Sequence, residues 1–75
     1  MFQYLPIENE VYSPYIGPYR VFGLRILQSG ERGEREVMVL PGVSSDFALV
    51  LRLAGLFTRR QLDPLHVVDV LEDML

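Results

Sequence analysis

Residues 45–57 read Ser45-Asp-Phe-Ala-Leu-Val-Leu-Arg-Leu-Ala-Gly-Leu-Phe57 and predict one α-helix with almost no polar side. At 100° per residue, the apolar positions cover an arc of about 200°, which is far wider than the stripe of about 100° on an ordinary surface helix. Only a narrow strip of Ala48, Arg52 and Gly55 is left to face water. We therefore expect the rest of the chain to pack around this helix from several directions.

Start and stop signals frame this helix and a second one. Ser44 or Ser45 is expected to cap the first helix, and Arg59-Arg60 suits the negative end of its dipole. Asp63 and Pro64 predict the next helix start, because Asp is a preferred N-cap and Pro fits the first helical position. The second helix is expected to run to near Leu75. Its predicted core-facing residues are Val67, Val68, Val70, Leu71, Met74 and Leu75, and its polar face carries His66, Asp69, Glu72 and Asp73.

The first part of the chain has the alternation and turn residues of a small antiparallel sheet. Residues 19–28 predict the best strand, and residues 35–40 predict the strand that returns after the polar tip at 29–34. Pro41-Gly42 is expected to end that strand, because proline donates no backbone hydrogen bond. Residues 7–12 are the candidate for a third strand. Phe22, Leu24 and Ile26 are expected to face the helices, and the second sheet face is expected to carry Val21, Leu27, Met38 and Leu40.

These elements predict a single α+β domain over residues 1–75. Strands and turns at 1–43 form an antiparallel sheet of two or three strands, and a helical hairpin at 44–75 packs on one of its faces. A chain of 75 residues is near the lower limit for a self-sufficient core. Because there is no cysteine, disulfides and thiolate metal sites are excluded, and self-association becomes the expected supplement to the core.

Charge and hydropathy narrow the class of protein further. The net charge is −3, with ten carboxylates and seven basic residues, and this balance disfavours a non-specific nucleic-acid binder. No basic residue precedes Arg20 and no long apolar run follows the first methionine, so no secretory signal is expected. No stretch reaches the length of about 20 apolar residues that spans a bilayer. We expect a soluble cytoplasmic protein that does not bind membranes.

The candidate chemical sites are weak. His66, Asp69 and Asp73 share one helical face and are weak candidates for a metal or acid–base site, but a solvated polar face is the favoured interpretation because this is the only histidine. The chain offers no recognisable nucleophile–base pair, so no catalytic residue, bound metal or cofactor is expected. Arg52, Arg59 and Arg60 are weak candidates for an anion-binding patch. Tyr4, Tyr12, Tyr15 and Tyr19 are interpreted as cover for the sheet edge, with a peptide-binding platform as the alternative.

Two segments carry a family resemblance: Arg20-Val-Phe-Gly-Leu-Arg-Ile-Leu27 and Gln61-Leu-Asp-Pro-Leu-His-Val-Val-Asp-Val-Leu-Glu-Asp73. With the hairpin and apolar helix between them, they resemble a family of small uncharacterised bacterial proteins known only as a domain of unknown function. The resemblance covers residues 11–75, and Phe22 stands where the family pattern has tyrosine. It implies an aromatic-Gly-Ile strand and an acidic terminal helix, and it transfers no activity or catalytic residue.

The function expected from the sequence is protein–protein interaction with homodimerisation and without catalysis. The predicted interface comprises Leu49, Leu53, Leu56, Val21, Leu27, Met38 and Leu40. The alternative is a nucleic-acid-associated regulator that uses the arginines of the hairpin tip and of the turn between the helices; an enzyme ranks third.

Overall fold

The computed structural model describes residues 1–75 as a three-stranded antiparallel sheet followed by two helices, which confirms the α+β class. The elements are β1 Phe2–Ser13, β2 Gly17–Gly30, β3 Gly33–Ser44, α1 Phe47–Arg60 and α2 Pro64–Met74. β2 is the central strand. β1 is the third strand that was expected at residues 7–12. It is longer than expected and begins at Phe2, because it pairs with β2 along its whole length. Pro6 is tolerated there because β1 is an edge strand.

β3 does not end at Pro41-Gly42, and this corrects the sequence prediction. Leu24 pairs with Leu40 and Phe22 pairs with Ser44, so β3 advances four residues while β2 advances two. The extra residues form a bulge, which is a position where a proline can be accommodated within a sheet. The bulged carbonyl of Pro41 accepts a hydrogen bond of 2.6 Å from the Asn9 side chain on β1.

Gly23 on β2 makes this bulge possible. A Cβ atom at Gly23 would lie 1.9 Å from the carbonyl oxygen of Leu40 and 2.7 Å from the carbonyl carbon of Pro41. The backbones of β2 and β3 thus approach each other where only glycine leaves room. The same missing side chain leaves room for Asn9 to reach across β2, since Gly23 pairs with the neighbouring Ile7.

A second irregularity decides which side chains of β3 face the helices. Near the tip, Leu27 pairs with Glu36, whereas one residue further along Ile26 pairs with Met38. Val37 is therefore the extra residue of a bulge. A shift of one residue moves every following side chain to the opposite face of a strand. Met38 and Leu40 consequently lie on the helix-covered face, beside Ile26 and Leu24.

The core lies between this covered face and the two helices. Leu24 and Ile26 are fully buried, as is Val50 of α1 and Val67 of α2. The prediction that Phe22, Leu24 and Ile26 face the helices is confirmed. On α2, only Val67, Leu71 and the half-buried Val70 belong to the core, and the prediction that Val68, Met74 and Leu75 do so is wrong. Val68 lies about 100° around the helix from Val67 and is 45% exposed, beside the open groove between α2 and the end of β3.

The caps explain where the helices begin. Asp46, and not Ser44 or Ser45, is the N-cap of α1, with its carboxylate accepting from the Leu49 N–H at 3.3 Å. Ser44 instead accepts from the Asp46 N–H at 3.0 Å, which fixes the turn before the cap. Asp63 caps α2 by accepting from the Leu65 N–H at 3.0 Å, as predicted. Each cap satisfies a donor that the first helical turn leaves unpaired.

The sheet is much longer than the helices that cover it. The 14 residues of β2 correspond to about 46 Å of strand, whereas the 14 residues of α1 correspond to about 21 Å of helix. The molecule measures 47 × 26 × 19 Å, and its radius of gyration is 13.3 Å against about 11 Å for a compact domain of this length. Both hairpin ends of the sheet therefore project beyond the helices.

Candidate functional site

The edge of β1 is closed by the end of α1. Gln61 follows α1 with φ +50°, in the left-handed region, and the Gln61 and Leu62 N–H groups donate to the carbonyls of Thr58 and Phe57. Glycine is the usual residue at this position. Glutamine is held here because its amide accepts from the Phe2 N–H at 2.7 Å and donates to the Phe2 carbonyl at 2.8 Å. Thr58 likewise accepts from the Tyr4 N–H at 2.9 Å, so side chains of the helix end saturate this part of the strand edge.

Tyr4 joins this edge to the core. Its hydroxyl donates to the Leu62 carbonyl at 2.6 Å, and its ring meets Phe57 edge-on with centroids 5.4 Å apart. Burial, together with the negative charge of Asp63, raises the pKa of Tyr4 to about 12. These contacts give Tyr4 the structural role that the interpretation as edge cover predicted, and they do not form a catalytic arrangement. For the other three tyrosines this interpretation is wrong, because Tyr12, Tyr15 and Tyr19 are 76%, 94% and 40% exposed.

Stability at alkaline pH is expected to depend on Tyr4. The pKa of about 12 in the folded state lies above the ordinary value of about 10, so the folded state holds the phenolic proton more tightly than the unfolded chain. This contribution is complete below about pH 10 and is lost as the pH rises towards 12. Tyr4→Phe should lower the free energy of unfolding by about 1–2 kcal/mol at pH 7 and flatten its decline between pH 10 and 12. Urea titrations at several pH values measure both effects, and a variant whose decline equals that of the parent would contradict this.

The outer face of the sheet, opposite the helices, has no covering element. Strand register assigns it alternate residues of each strand. The apolar members of the outer face are Leu5, Ile7, Val11, Tyr19, Val21, Leu27 and Val39. Its polar members are Gln3, Asn9, Arg25 and Glu36, with Ser13, Ser29 and Glu34 near the hairpin ends. Val39 is 42% exposed and Tyr19 is 40% exposed. Leu27 is only 8% exposed, and the other apolar members are half-buried by one another.

One ion pair lies within the outer face. The Arg25 Nε donates to the Glu36 carboxylate at 2.7 Å, and both side chains are nearly half exposed. Arg25 pairs with Leu5 on one side and with Val39 on the other, so its charge stands among aliphatic residues. This is the single hydrogen bond donated by the guanidinium, and its two terminal NH2 groups remain free for further acceptors.

The structure places only some of the predicted interface residues on an uncovered surface. Val21 and Leu27 lie on the outer face, as expected. Met38 and Leu40 do not, because the bulge at Val37 turns them towards the core. Leu53 is only 3% exposed, and Leu49 and Leu56 pack against the core, so this flank of α1 is not free to meet another chain. The sequence reasoning missed Leu5, Ile7 and Val39; the alternation of residues 5, 7 and 11 in β1 was the available signal.

The exposed side of α1 includes more apolar surface than the predicted strip. Ala48, Arg52 and Gly55 are exposed as expected, but Leu51 and Phe47 are about half exposed as well. Phe47 also contacts Phe22, with ring centroids 5.0 Å apart. α1 thus packs against the core on one side, and the side that carries Ala48, Leu51, Arg52 and Gly55 faces outwards.

The charged candidates stay apart. His66, Asp69 and Asp73 lie on the exposed face of α2, and no group of three or more His, Asp or Glu side chains in the chain is arranged to hold a metal ion. Arg59 and Arg60 occupy the last turn of α1, where they complement the helix dipole. Arg52, Arg59 and Arg60 are exposed and form no ion pair, since the two ion pairs of the chain use Arg20 and Arg25.

Two further surfaces are partly apolar. The β1–β2 hairpin end exposes Tyr12, Tyr15 and Ile16 by 70% or more. A shallow groove of about 280 Å³ separates the end of β3 from α2, with Val43 and Val68 among its lining residues. The polar concavity at residues 28–35 is the inside of the β2–β3 turn, as expected for a hairpin and not for a phosphate loop.

Comparison with known proteins places the chain in a family without assigning it a role. Neither α1 nor α2 is long and apolar enough to cross a membrane. No curated protein and no solved structure matches the chain. A family model matches all of residues 1–75, consistent with the resemblance carried by the β2 and α2 segments. The chain therefore belongs to the family of unknown function DUF6514.

Proposed function

We propose that this protein is a small cytoplasmic, non-enzymatic protein–protein interaction module that self-associates. The observation that carries the proposal is its accessible surface of 5414 Å². A compact monomer of 8.6 kDa is expected to expose about 4,700 Å². The excess of about 700 Å² is close to the area of about 800 Å² that each partner buries in a standard interface.

The chemical character of the exposed surface supports the same proposal. Large apolar side chains are exposed on the sheet, at the β1–β2 hairpin end and on both helices, including Val39, Ile16, Leu51 and Leu65. Single exposed apolar residues are ordinary, but contiguous groups of them mark interaction surfaces. With a core cluster of nine buried residues, the domain has little other means of gaining stability.

Self-association predicts a mass that depends on concentration. Light scattering coupled to size exclusion should give about 17 kDa, twice the chain mass of 8.6 kDa, at tens of micromolar and approach the chain mass on dilution. The association should persist in 1 M NaCl, because burial of apolar surface is not screened by salt. A mass of 8.6 kDa up to millimolar concentration would contradict the proposal.

A nucleic-acid-associated regulator remains the second candidate. It is favoured by Arg52, Arg59 and Arg60, which are exposed and have no carboxylate partner. Against it, the hairpin tip alternates arginine with Glu31 and Glu34, and the net charge is −3. Fluorescence anisotropy with labelled duplex DNA at 20 mM and 200 mM NaCl tests it, since phosphate contacts give a steep salt dependence. Absence of binding at 20 mM NaCl would remove this candidate.

A further inference from the structure

We propose that the outer face of the sheet is the self-association surface, and that its occupant is a second copy of this chain packed sheet against sheet about a two-fold axis. The result would be a six-stranded sandwich with the helices on its two outer sides. This inference rests on the self-association proposed above and adds to it the surface and the geometry.

The first support is the distribution of polarity over the two faces. An antiparallel sheet that meets water on one face normally carries polar residues there. The covered face follows this rule where it extends past the helices, because Glu8, Glu10 and Arg20 occupy it and Glu8 pairs with Arg20 at 3.0 Å. The outer face differs, since Leu5, Ile7 and Val11 lie along it on β1 and only Asn9 interrupts them. This pattern is expected of a face that is covered.

The second support is area. Three strands about 4.8 Å apart and 12–14 residues long present a face of about 550–600 Å² before the relief of the side chains is added. This area approaches the share of one partner in a standard interface. The groove between β3 and α2 has a volume of only about 280 Å³, which accommodates a few side chains and not a domain.

The third support is charge. Among the aliphatic residues of the outer face, Arg25 and Glu36 form a neutral pair, although the whole chain has a charge of −3. The other carboxylate of this face, Glu34, lies at the hairpin tip opposite Ser29. A two-fold axis brings the same patch of each copy together, so a patch must be complementary to itself. The free NH2 groups of Arg25 can bind Glu36 of the second copy while Nε keeps its own Glu36. A neutral pair of this kind meets its copy without repulsion, whereas a face of one sign would not.

Charge reversal with mixing tests this arrangement. Arg25→Glu gives the two copies four carboxylates at positions 25 and 36, and Glu36→Arg gives them four guanidiniums there, so each variant alone is expected to be at least tenfold weaker in self-association. An equimolar mixture of the two should form a heterodimer of about 17 kDa, because each copy then meets the opposite sign. Val39→Lys, at a position 42% exposed, should also be monomeric, because it buries an ammonium group in the interface.

Matched controls separate the failure of this inference from that of the proposed function. Arg60→Glu and Asp73→Arg change charge by the same amounts at exposed helical positions and should leave the dimer intact. Circular dichroism checks that each variant is folded. If a charge-reversal variant is unfolded, Val39→Lys tests the outer face in its place. If the parent dimerises and the three sheet variants do so equally, or if the mixture restores nothing, the outer face is not the interface although self-association stands. A parent that stays monomeric overturns both.

Discussion

Gly23→Ala is expected to prevent stable folding, because its Cβ would lie 1.9 Å from the Leu40 carbonyl oxygen and 2.8 Å from that of Pro41. Both atoms belong to the backbone of the β3 bulge, and the Asn9 side chain donates a hydrogen bond to the Pro41 carbonyl. Relief therefore requires β2 and β3 to separate, which breaks their ladder on both sides of the bulge. We expect a loss of about 3 kcal/mol or more, out of a total stability of about 5–10 kcal/mol for so small a domain.

Gly55→Ala is the matched control for that substitution. Gly55 lies within α1, and a Cβ there meets no atom within 4 Å. Alanine should therefore raise the free energy of unfolding by about 0.5–1 kcal/mol, because glycine loses more conformational freedom in a helix. Thermal melts of both variants measure the contrast, with about 4–8 °C expected per kcal/mol. A Gly23→Ala protein that melts within a few degrees of the parent would mean that β2 and β3 do not approach as described.

The two bulges also explain how far the fold could be predicted from the sequence. Turn chemistry and alternation located the hairpins, and Asp63 with Pro64 located α2, because these signals act within a few residues. The bulges depend on contacts between strands, which no local pattern contains. Counting from the tip, the register of Gly30 with Gly33 would place Val39 opposite Leu24, but the extra residue at Val37 places Leu40 there.

This difference decides the candidate site as well. Because the faces of β3 exchange at the bulge, Met38 and Leu40 enter the core and Val39 takes their place on the outer face. The ion pair of Arg25 and Glu36 follows from the same register, and the sequence spacing of eleven residues does not predict it. The sequence indicated correctly that one sheet face is rich in apolar residues, but the residues that compose it follow from tertiary structure.

Leu53→Arg is expected to unfold the domain. From the sequence, Leu53 belongs to the most apolar flank of α1, and a charge there would be expected to block association while leaving the fold intact. In the structure Leu53 is 3% exposed and lies in the same core cluster as Ile26 and Val67. An arginine there must bury a charge without a partner, since no carboxylate belongs to that cluster. We expect a loss of about 4 kcal/mol or more, visible as a missing thermal transition.

Leu51→Arg separates this explanation from an effect of charge on the helix itself. Leu51 lies two residues away on α1 and is 50% exposed, so an arginine can place its guanidinium in water while its stem covers the neighbouring apolar surface. Its melting temperature should stay within a few degrees of the parent, as should its self-association, because α1 lies on the face of the sheet away from the proposed interface. If Leu51→Arg dissociates the dimer and remains folded, the second copy covers α1 and not the outer face. Leu53 and Leu51 differ by about 200° around the helix, so they point to nearly opposite sides. If Leu53→Arg also folds, α1 must be able to rotate about its axis and bring residue 53 out of the core.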